Sequence, residues 1–448
     1  MQDLLMLVFT PAESLEYVYN WLTFKSEFDG LKSQSTAARF ILDVLKSSSK
    51  LSALRAMDDT KINSRIAQFL SRITEILENL TQTVKDSSNT KLKKVSNGKY
   101  IVSVKLNIII ELTHIMDMII ISLSDALTVK LFGKLFEELS SSENVRVQTM
   151  ALQLLSKRLE SMENIDVEES DNYFDSFDIV VEIYQKTPRD TDKLCLLLSQ
   201  TALVALAMYA KRFAANHPTK FINLSSYLLE SNTTAISIEL LISQFVFLTV
   251  VLQQTGMRFV NVLPKAVQIS LRYFTMTFQR MISFTVINNM IDQSQENSLL
   301  CFGLLSFWIA FAETLPQFIG TYMEELLKLL IHSPILSEHK AVKSWSRGSQ
   351  RVHHLVKVIS KAVSPRNLYP ALLKLEEEVY TCPSVMEVYT TILKRSITCI
   401  QKADFDFFEH ELLSLFTKLM NFRNVIKELS DMVNRDFTVE CYLCRMLT

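Results

Sequence analysis

Glycine and proline are both scarce here, with 7 and 9 residues in a chain of 448. Sheet proteins turn at short intervals and rely on these residues to do it. A chain so poor in them is not built of hairpins. The same shortage excludes a glycine-rich phosphate cradle, because seven isolated glycines compose no such motif. An excess of one charge is missing too. Lys and Arg total 47 against 48 Asp and Glu, a net −1, so no global field draws the chain to nucleic acid or to an anionic membrane.

Chemistry-bearing clusters are also missing. The six cysteines are Cys195, Cys301, Cys382, Cys399, Cys441 and Cys444. Cys441 and Cys444 form a lone C-x-x-C, which cannot supply the four ligands of a structural zinc site. It reads as two thiols on one helix face. The lack of a disulfide framework fits a reducing compartment, cytosol or nucleus. Neither H-E-x-x-H nor G-x-S-x-G occurs. The adjacent His353 and His354 would point about 100° apart on a helix and do not chelate as a pair. Asp404, Asp406 and Glu409 read as a helix start, where acids favour the positive end of the dipole. Glu376, Glu377 and Glu378 read as a solvated run. The expectation is a chain with no enzymatic activity, no cofactor, no metal and no small-molecule substrate.

Long uncharged apolar runs are few. Leu299–Ala312, with Trp308, is shorter than the ~20 residues of a membrane span and reads as a buried helix. Thr234–Leu252 is longer but carries Glu239 and several polar residues. The first nine residues lack a basic segment and read as a helix rather than a signal peptide. No membrane contact is expected.

What the sequence has is helical periodicity. Apolar residues make up 48% and charged residues 21%, which excludes wholesale disorder. Apolar positions recur at i, i+3, i+4 and i+7, as in Ile62, Ile66, Phe69, Leu70, Ile73, Ile76, Leu77 and Leu80. About eighteen helices of roughly 12–22 residues are expected, joined by short loops. Pro218, Pro264, Pro316 and Pro365 stand 46, 52 and 49 residues apart, several near expected helix starts, where the missing N–H is tolerated. Two helices fit between successive prolines. A period near 40–50 with two helices per unit is the HEAT/armadillo pattern. Val145–Leu155 reads as one second helix of such a pair, small Ala151 allowing close approach. A single core of this size would exceed the usual limit, and a repeat stack avoids it. The fold class expected is all-α, an α-solenoid of HEAT/armadillo-like helical repeats.

The chain divides by composition into a helical block 1–84, a polar basic loop 85–100, HEAT-like helices 101–162, an acidic loop 163–178 and further HEAT-like repeats 179–448. The strongest contact candidate lies in the last. Lys343, Arg347 and Arg351 share one helix face, His354 follows, Lys357 and Lys361 are another i, i+4 pair, and Arg366 closes the series. Trp345 flanks the group, Gly348 weakens the helix, and no acid lies between Lys340 and Arg366. Such a face suits RNA phosphates or an acidic partner. It equally suits a solvated face whose long stems cover apolar neighbours. Lys91, Lys93 and Lys94 form a weaker candidate in the basic loop.

Four segments in order then carry a resemblance. They are Val145–Leu159; Gln200–Leu206 continuing through Arg212-Phe213, Asn216-His217-Pro218 and Phe221; Ala312–Ile319 with Tyr322-Met323-Glu324; and Ala362–Ala371. Together they resemble the C-terminal region of the HEAT-repeat-containing protein one / Utp-ten family of nucleolar small-subunit processome components. The chain departs from that pattern at Gln148 and Thr149, at an inserted His217, and at Ser364. The resemblance covers about half the chain, and the family's protein is several times longer. It implies a non-enzymatic scaffold in the nucleus and nucleolus, with processome proteins as partners and pre-rRNA or snoRNA beside them. Its work would be assembly of the U-three snoRNA processome, pre-18S rRNA processing and support of rRNA transcription. The rival readings are a transport or vesicle adaptor on the same architecture, and a helical regulatory subunit of a kinase or phosphatase.

Overall fold

The computed structural model describes residues 129–375, with breaks at 143–144, 162–166, 189–191, 232–236, 287–290 and 332–345, and scattered positions between 35 and 119 and between 389 and 417. The expected helix at 62–84, the basic loop 85–100 and the N-terminal nine residues lie outside the described residues. So do Cys382, Cys399, Cys441 and Cys444, the acidic run 376–378, and Asp404, Asp406 and Glu409.

Between 129 and 375 the described residues form twelve α-helices, two 3-10 segments and no strand. They are α1 (Val129–Ser140), α2 (Val145–Ser161), α3 (Val167–Lys186), α4 (Lys193–Phe213), α5 (Pro218–Ser231), α6 (Ile238–Thr255), α7 (Leu263–Val286), α8 (Ile291–Thr314), α9 (Pro316–Ile319), α10 (Met323–Ile331), α11 (Ser346–Ala362) and α12 (Pro365–Lys374). The 3-10 segments are Gly256–Asn261 and Gly320–Tyr322. All four rhythmic prolines sit at the first or second position of a helix: α5, α7, α9 and α12. The missing N–H is an orphan there in any case, so proline starts a repeat helix without breaking one.

The chain forms two compact units, Met1–Tyr209 and Ala210–Thr448. In the first, α1 packs on α2 and α3. Phe132, Leu135, Phe136 and Leu139 form the buried stripe of α1. The HEAT-like helix α2 buries Val147, Ala151, Leu152, Leu154, Leu155 and Leu159, as its periodicity demands.

The acidic stretch 163–178 is not a loop over most of its length. From Val167 it is the first part of α3. Phe177 is buried, stacked on Phe174 at 5.3 Å and edge-on to Tyr209 at 5.7 Å, while Asp175 and Asp178 stay exposed. Two aromatic anchors per turn suffice to fold an acid-rich helix, because the acids occupy the wet side.

In the second unit each helix touches its counterpart one pair onward. One layer is α6, α8 and α11; the other is α5, α7, α10 and α12. This alternation is the stacking of helix pairs in a HEAT-type solenoid. Central α8 shows its effect. Leu300, Cys301, Leu304, Leu305, Phe307, Trp308, Ala310, Phe311 and Ala312 are all buried. A helix covered by α6, α11 and α7 needs to be apolar nearly all round. The chain leaves it through a 114° bend at Leu315-Pro316 that carries it into the other layer.

The same crowding makes helices that look like membrane spans. Lys193–Phe213 and Ile238–Asn261 are long and apolar enough to cross a bilayer, although Glu239 argued against the second in the sequence. Half of each apolar window is buried among the protein's own helices. Their composition answers to neighbours on several sides.

Two glycines separate backbone need from packing need. Gly256 ends α6 with φ of 54° and donates its N–H to the Leu252 carbonyl. Gly303, inside α8, faces Ile242, and a Cβ there would meet it at an ordinary 3.9 Å. Gly256→Ala is therefore expected to destabilise the chain by about 1 kcal/mol through left-handed strain. Gly303→Ala is expected to stabilise it by up to about 1 kcal/mol through helix propensity. Urea melts of the two variants are expected to move in opposite directions, and shifts of the same sign would refute this account.

Candidate basic face and the residues around it

Helix α11 runs through Gly348, so that glycine does not interrupt it. Val352, Leu355, Val356 and Ile359 are buried, and Arg351, His354, Lys357 and Lys361 are exposed. The cations thus occupy the outward stripe of an amphipathic helix, over ~15 Å of its length. Lys343 and Trp345 lie outside the described residues, as do the side chains of Arg347 and Arg366. Lys91, Lys93 and Lys94 lie outside them as well.

Arg351 differs from the other three. Its guanidinium sits 5.5 Å from the Phe302 ring centroid and donates to Ser306 Oγ, both on α8. It ties α11 to α8 as well as lining the surface. Among the described residues, His354, Lys357 and Lys361 have no carboxylate partner.

Sequence reasoning missed the apolar company of this stripe. Val246 on α6 and Leu299 on α8 are 43% and 48% exposed, and Phe302 is half-buried. It also missed the contrasting treatment of charge in the other layer. There Lys265 of α7 pairs with Glu230 of α5 at 3.5 Å, and Lys374 of α12 with Glu324 of α10 at 2.7 Å. The lysine always belongs to the later helix, a regularity visible only once the stacking order is known.

The first unit holds an open cavity of about 560 Å³ lined by α1, α2, α3 and α4 residues, among them Glu137, Gln148, Glu182 and Cys195. Glu182 is already paired with Lys186, and Gln148 donates to the Ser140 carbonyl at 3.1 Å. No three metal-ligating side chains converge among the described residues. The other described thiol, Cys301, is enclosed in α8, and burial pushes it from 9.0 up to about 12.

The fold and face together define a class: an all-α solenoid of HEAT-type helix pairs. Two solved structures share that fold, both of the karyopherin Kap121p, one bound to the SUMO protease Ulp1p and one bound to Pho4p. Each has a TM-score of 0.50 and 12% identity over 92% of this chain, which spans 35% and 36% of those chains. No family model matches the sequence. Among curated proteins, the chain is similar to the HEAT repeat-containing protein 1 homolog of Dictyostelium discoideum, 20% identical over 374 residues, 82% of this chain and 16% of that protein. It is similar also to HEAT repeat-containing protein 1 of Homo sapiens, 30% identical over 113 residues, 25% of this chain and 5% of that one. These relatives carry the name of the family that the four sequence segments resemble. The chain spans less than a fifth of the length of either.

The two described thiols give a chemical check on this packing. A neutral thiol is favoured on folding when burial raises its pKa, so Cys301 contributes no pH dependence well below pH 9. Above it, the unfolded chain releases the proton first, and stability falls as pH rises from 9.0 towards about 12. Cys301→Ala is expected to lose less stability than the parent across that window in urea melts at stepped pH. Iodoacetamide at pH 8 is expected to label half-buried Cys195 and spare Cys301 in the native protein, with peptide mass spectrometry as readout. Equal labelling would show that α8 is not enclosed.

Proposed function

We propose that this chain is a non-enzymatic scaffold in ribosome biogenesis, acting in the nucleolus on the small-subunit processome. The observation that carries this reading is the similarity to the Dictyostelium HEAT repeat-containing protein 1 homolog over 82% of the chain, joined to four family-like segments in the same order. In this reading the helix pairs supply a surface for processome proteins, with pre-rRNA or snoRNA as further partners. The work done is assembly of the particle on pre-rRNA, which allows 18S maturation and supports rRNA transcription. Binding to several partners at once suits a repeat stack, because each added helix pair adds surface without enlarging a single core.

The reading is tested in cells that make the protein. Depletion is expected to lower mature 18S rRNA and raise its precursor on northern blots, and the tagged chain is expected to sediment with pre-ribosomal particles. Normal 18S levels after full depletion would sink the proposal. Affinity purification that recovered a Ran-type GTPase and cargo, without pre-ribosomal proteins, would establish the adaptor reading in its place.

A further inference from the structure

We infer that the outer face of the α6–α8–α11 layer docks an acidic amphipathic helix of a protein partner. The inference stands on the geometry of this layer and holds whatever the chain's cellular address. Three observations converge on it.

The first is register. Ile242 of α6 faces Gly303 of α8, and Phe245 packs edge-on to Phe307 at 5.6 Å. The two helices therefore run parallel, with Val246 near the level of Ser306. Arg351 of α11 reaches that same Ser306. Across the face, then, an apolar position on α6 is followed by a junction on α8 and a cation on α11. Packed helices stand about 8–10 Å apart, so Val246 on α6 and the cations of α11 lie roughly 16–20 Å apart across α8, with Leu299 and Ile309 of α8 between them. A docked helix of ~10–12 Å diameter seated over α8 reaches both tracks with side chains on its two flanks.

The second is the make-up of the two tracks. Val246 and Leu299 are the exposed large aliphatic residues here, with Ile242 and Ile309 half-buried beside them. His354, Lys357 and Lys361 are exposed along α11. Among the described residues two carboxylates share the face, Glu239 in the first turn of α6 and Glu313 in the last turn of α8. Of these, Glu239 stands at the far end of the face, while Glu313 lies towards the Lys357 and Lys361 end without pairing with either lysine. An apolar stripe beside a basic stripe is complementary to a helix carrying leucine-type residues on one side and carboxylates on the next.

The third is the contrast with the opposite layer. There the pairs Lys265–Glu230 and Lys374–Glu324 already satisfy lysines of α7 and α12. Unpaired basic charge and exposed aliphatic surface coincide on the α6–α8–α11 side.

RNA fits this face less well. Base stacking needs an open aromatic ring. Phe302 is the one partly exposed aromatic of this face among the described residues, and the Arg351 guanidinium already sits over it. A phosphate backbone would also leave Val246 and Leu299 in water.

The test uses the full chain and three fluorescent probes at physiological salt. They are a ~20-residue peptide with glutamates and leucines on adjoining helical faces, a scrambled peptide of the same composition, and an oligouridylate. Anisotropy is expected to show binding of the patterned peptide and binding about tenfold weaker for the scramble. The double variant Lys357→Glu/Lys361→Glu is expected to weaken the patterned peptide by about tenfold or more, and Val246→Asp by a comparable factor. Lys265→Glu, on the opposite layer, is expected to leave it unchanged. Circular dichroism checks each fold, and Lys357→Gln/Lys361→Gln replaces the reversal if that variant unfolds. Patterned and scrambled peptides bound alike would overturn the inference, and so would binding indifferent to the α11 variants. Oligouridylate bound more tightly than the peptide, and lost in the double variant, would assign the face to RNA instead.

Discussion

The burial of α8 is the constraint on which the second unit rests. A single helix pair cannot cover an apolar surface on both sides of itself, so each pair needs the next. In α8 that need is extreme. Trp308 is fully buried, tilted against Phe311 at 5.6 Å, and edge-on to Phe307, which in turn meets Phe245 of α6. Phe311 reaches Tyr322 beyond the bend. Burying side chains of this size contributes on the order of 1.5–3 kcal/mol each. The indole N–H of Trp308 meets no acceptor among the described residues, which costs about 1–3 kcal/mol. The apolar burial of the rings around it offsets that loss. The same enclosure isolates Cys301 and makes the helix apolar nearly all round.

Much of this was legible because helical stacking writes a local signature. The stripe of α2, the helix-starting prolines and the buried run around Trp308 can be found by counting residues. The acidic part of α3 could not be found that way. Its helix depends on Phe177 meeting Tyr209, 32 residues later in the chain. Composition alone marked the stretch as solvent-loving, which is true of Asp175 and Asp178 and untrue of their neighbours. Membrane-like composition is a separate case: α6 carries a glutamate in its first turn and still has the length and apolarity of a span, with half of that window buried within the protein.

The basic stripe was legible for a similar reason. Cations at i, i+3 and i+4 with no intervening acid fall on one face wherever a helix forms, and α11 forms in spite of Gly348. What the sequence withheld is the work of each cation. Arg351 lies 45 residues from Ser306 and serves the contact between α8 and α11, whereas Lys357 and Lys361 are left to solvent. Val246 and Leu299 carried no signal either, since an isolated exposed aliphatic residue is ordinary. They acquire meaning only when stacking sets them beside α11.

A repeat stack separates two tasks that a compact enzyme combines. The inward faces hold neighbouring pairs together and accept almost any well-packed apolar set, so the fold is shared with solved structures at 12% identity. The outward faces are free to diverge, and here they have done so in opposite ways. On the α5–α7–α10–α12 side, Lys265 and Lys374 are matched with glutamates of the preceding helix of the layer, each exposed pair contributing about 0–1 kcal/mol. Such matching adds little stability, but it also leaves little for a partner to gain there. On the α6–α8–α11 side the charge is unmatched and aliphatic surface accompanies it. A face that forgoes internal pairing keeps its binding potential, and this difference between the two outward faces is where specificity can reside in a chain of this kind.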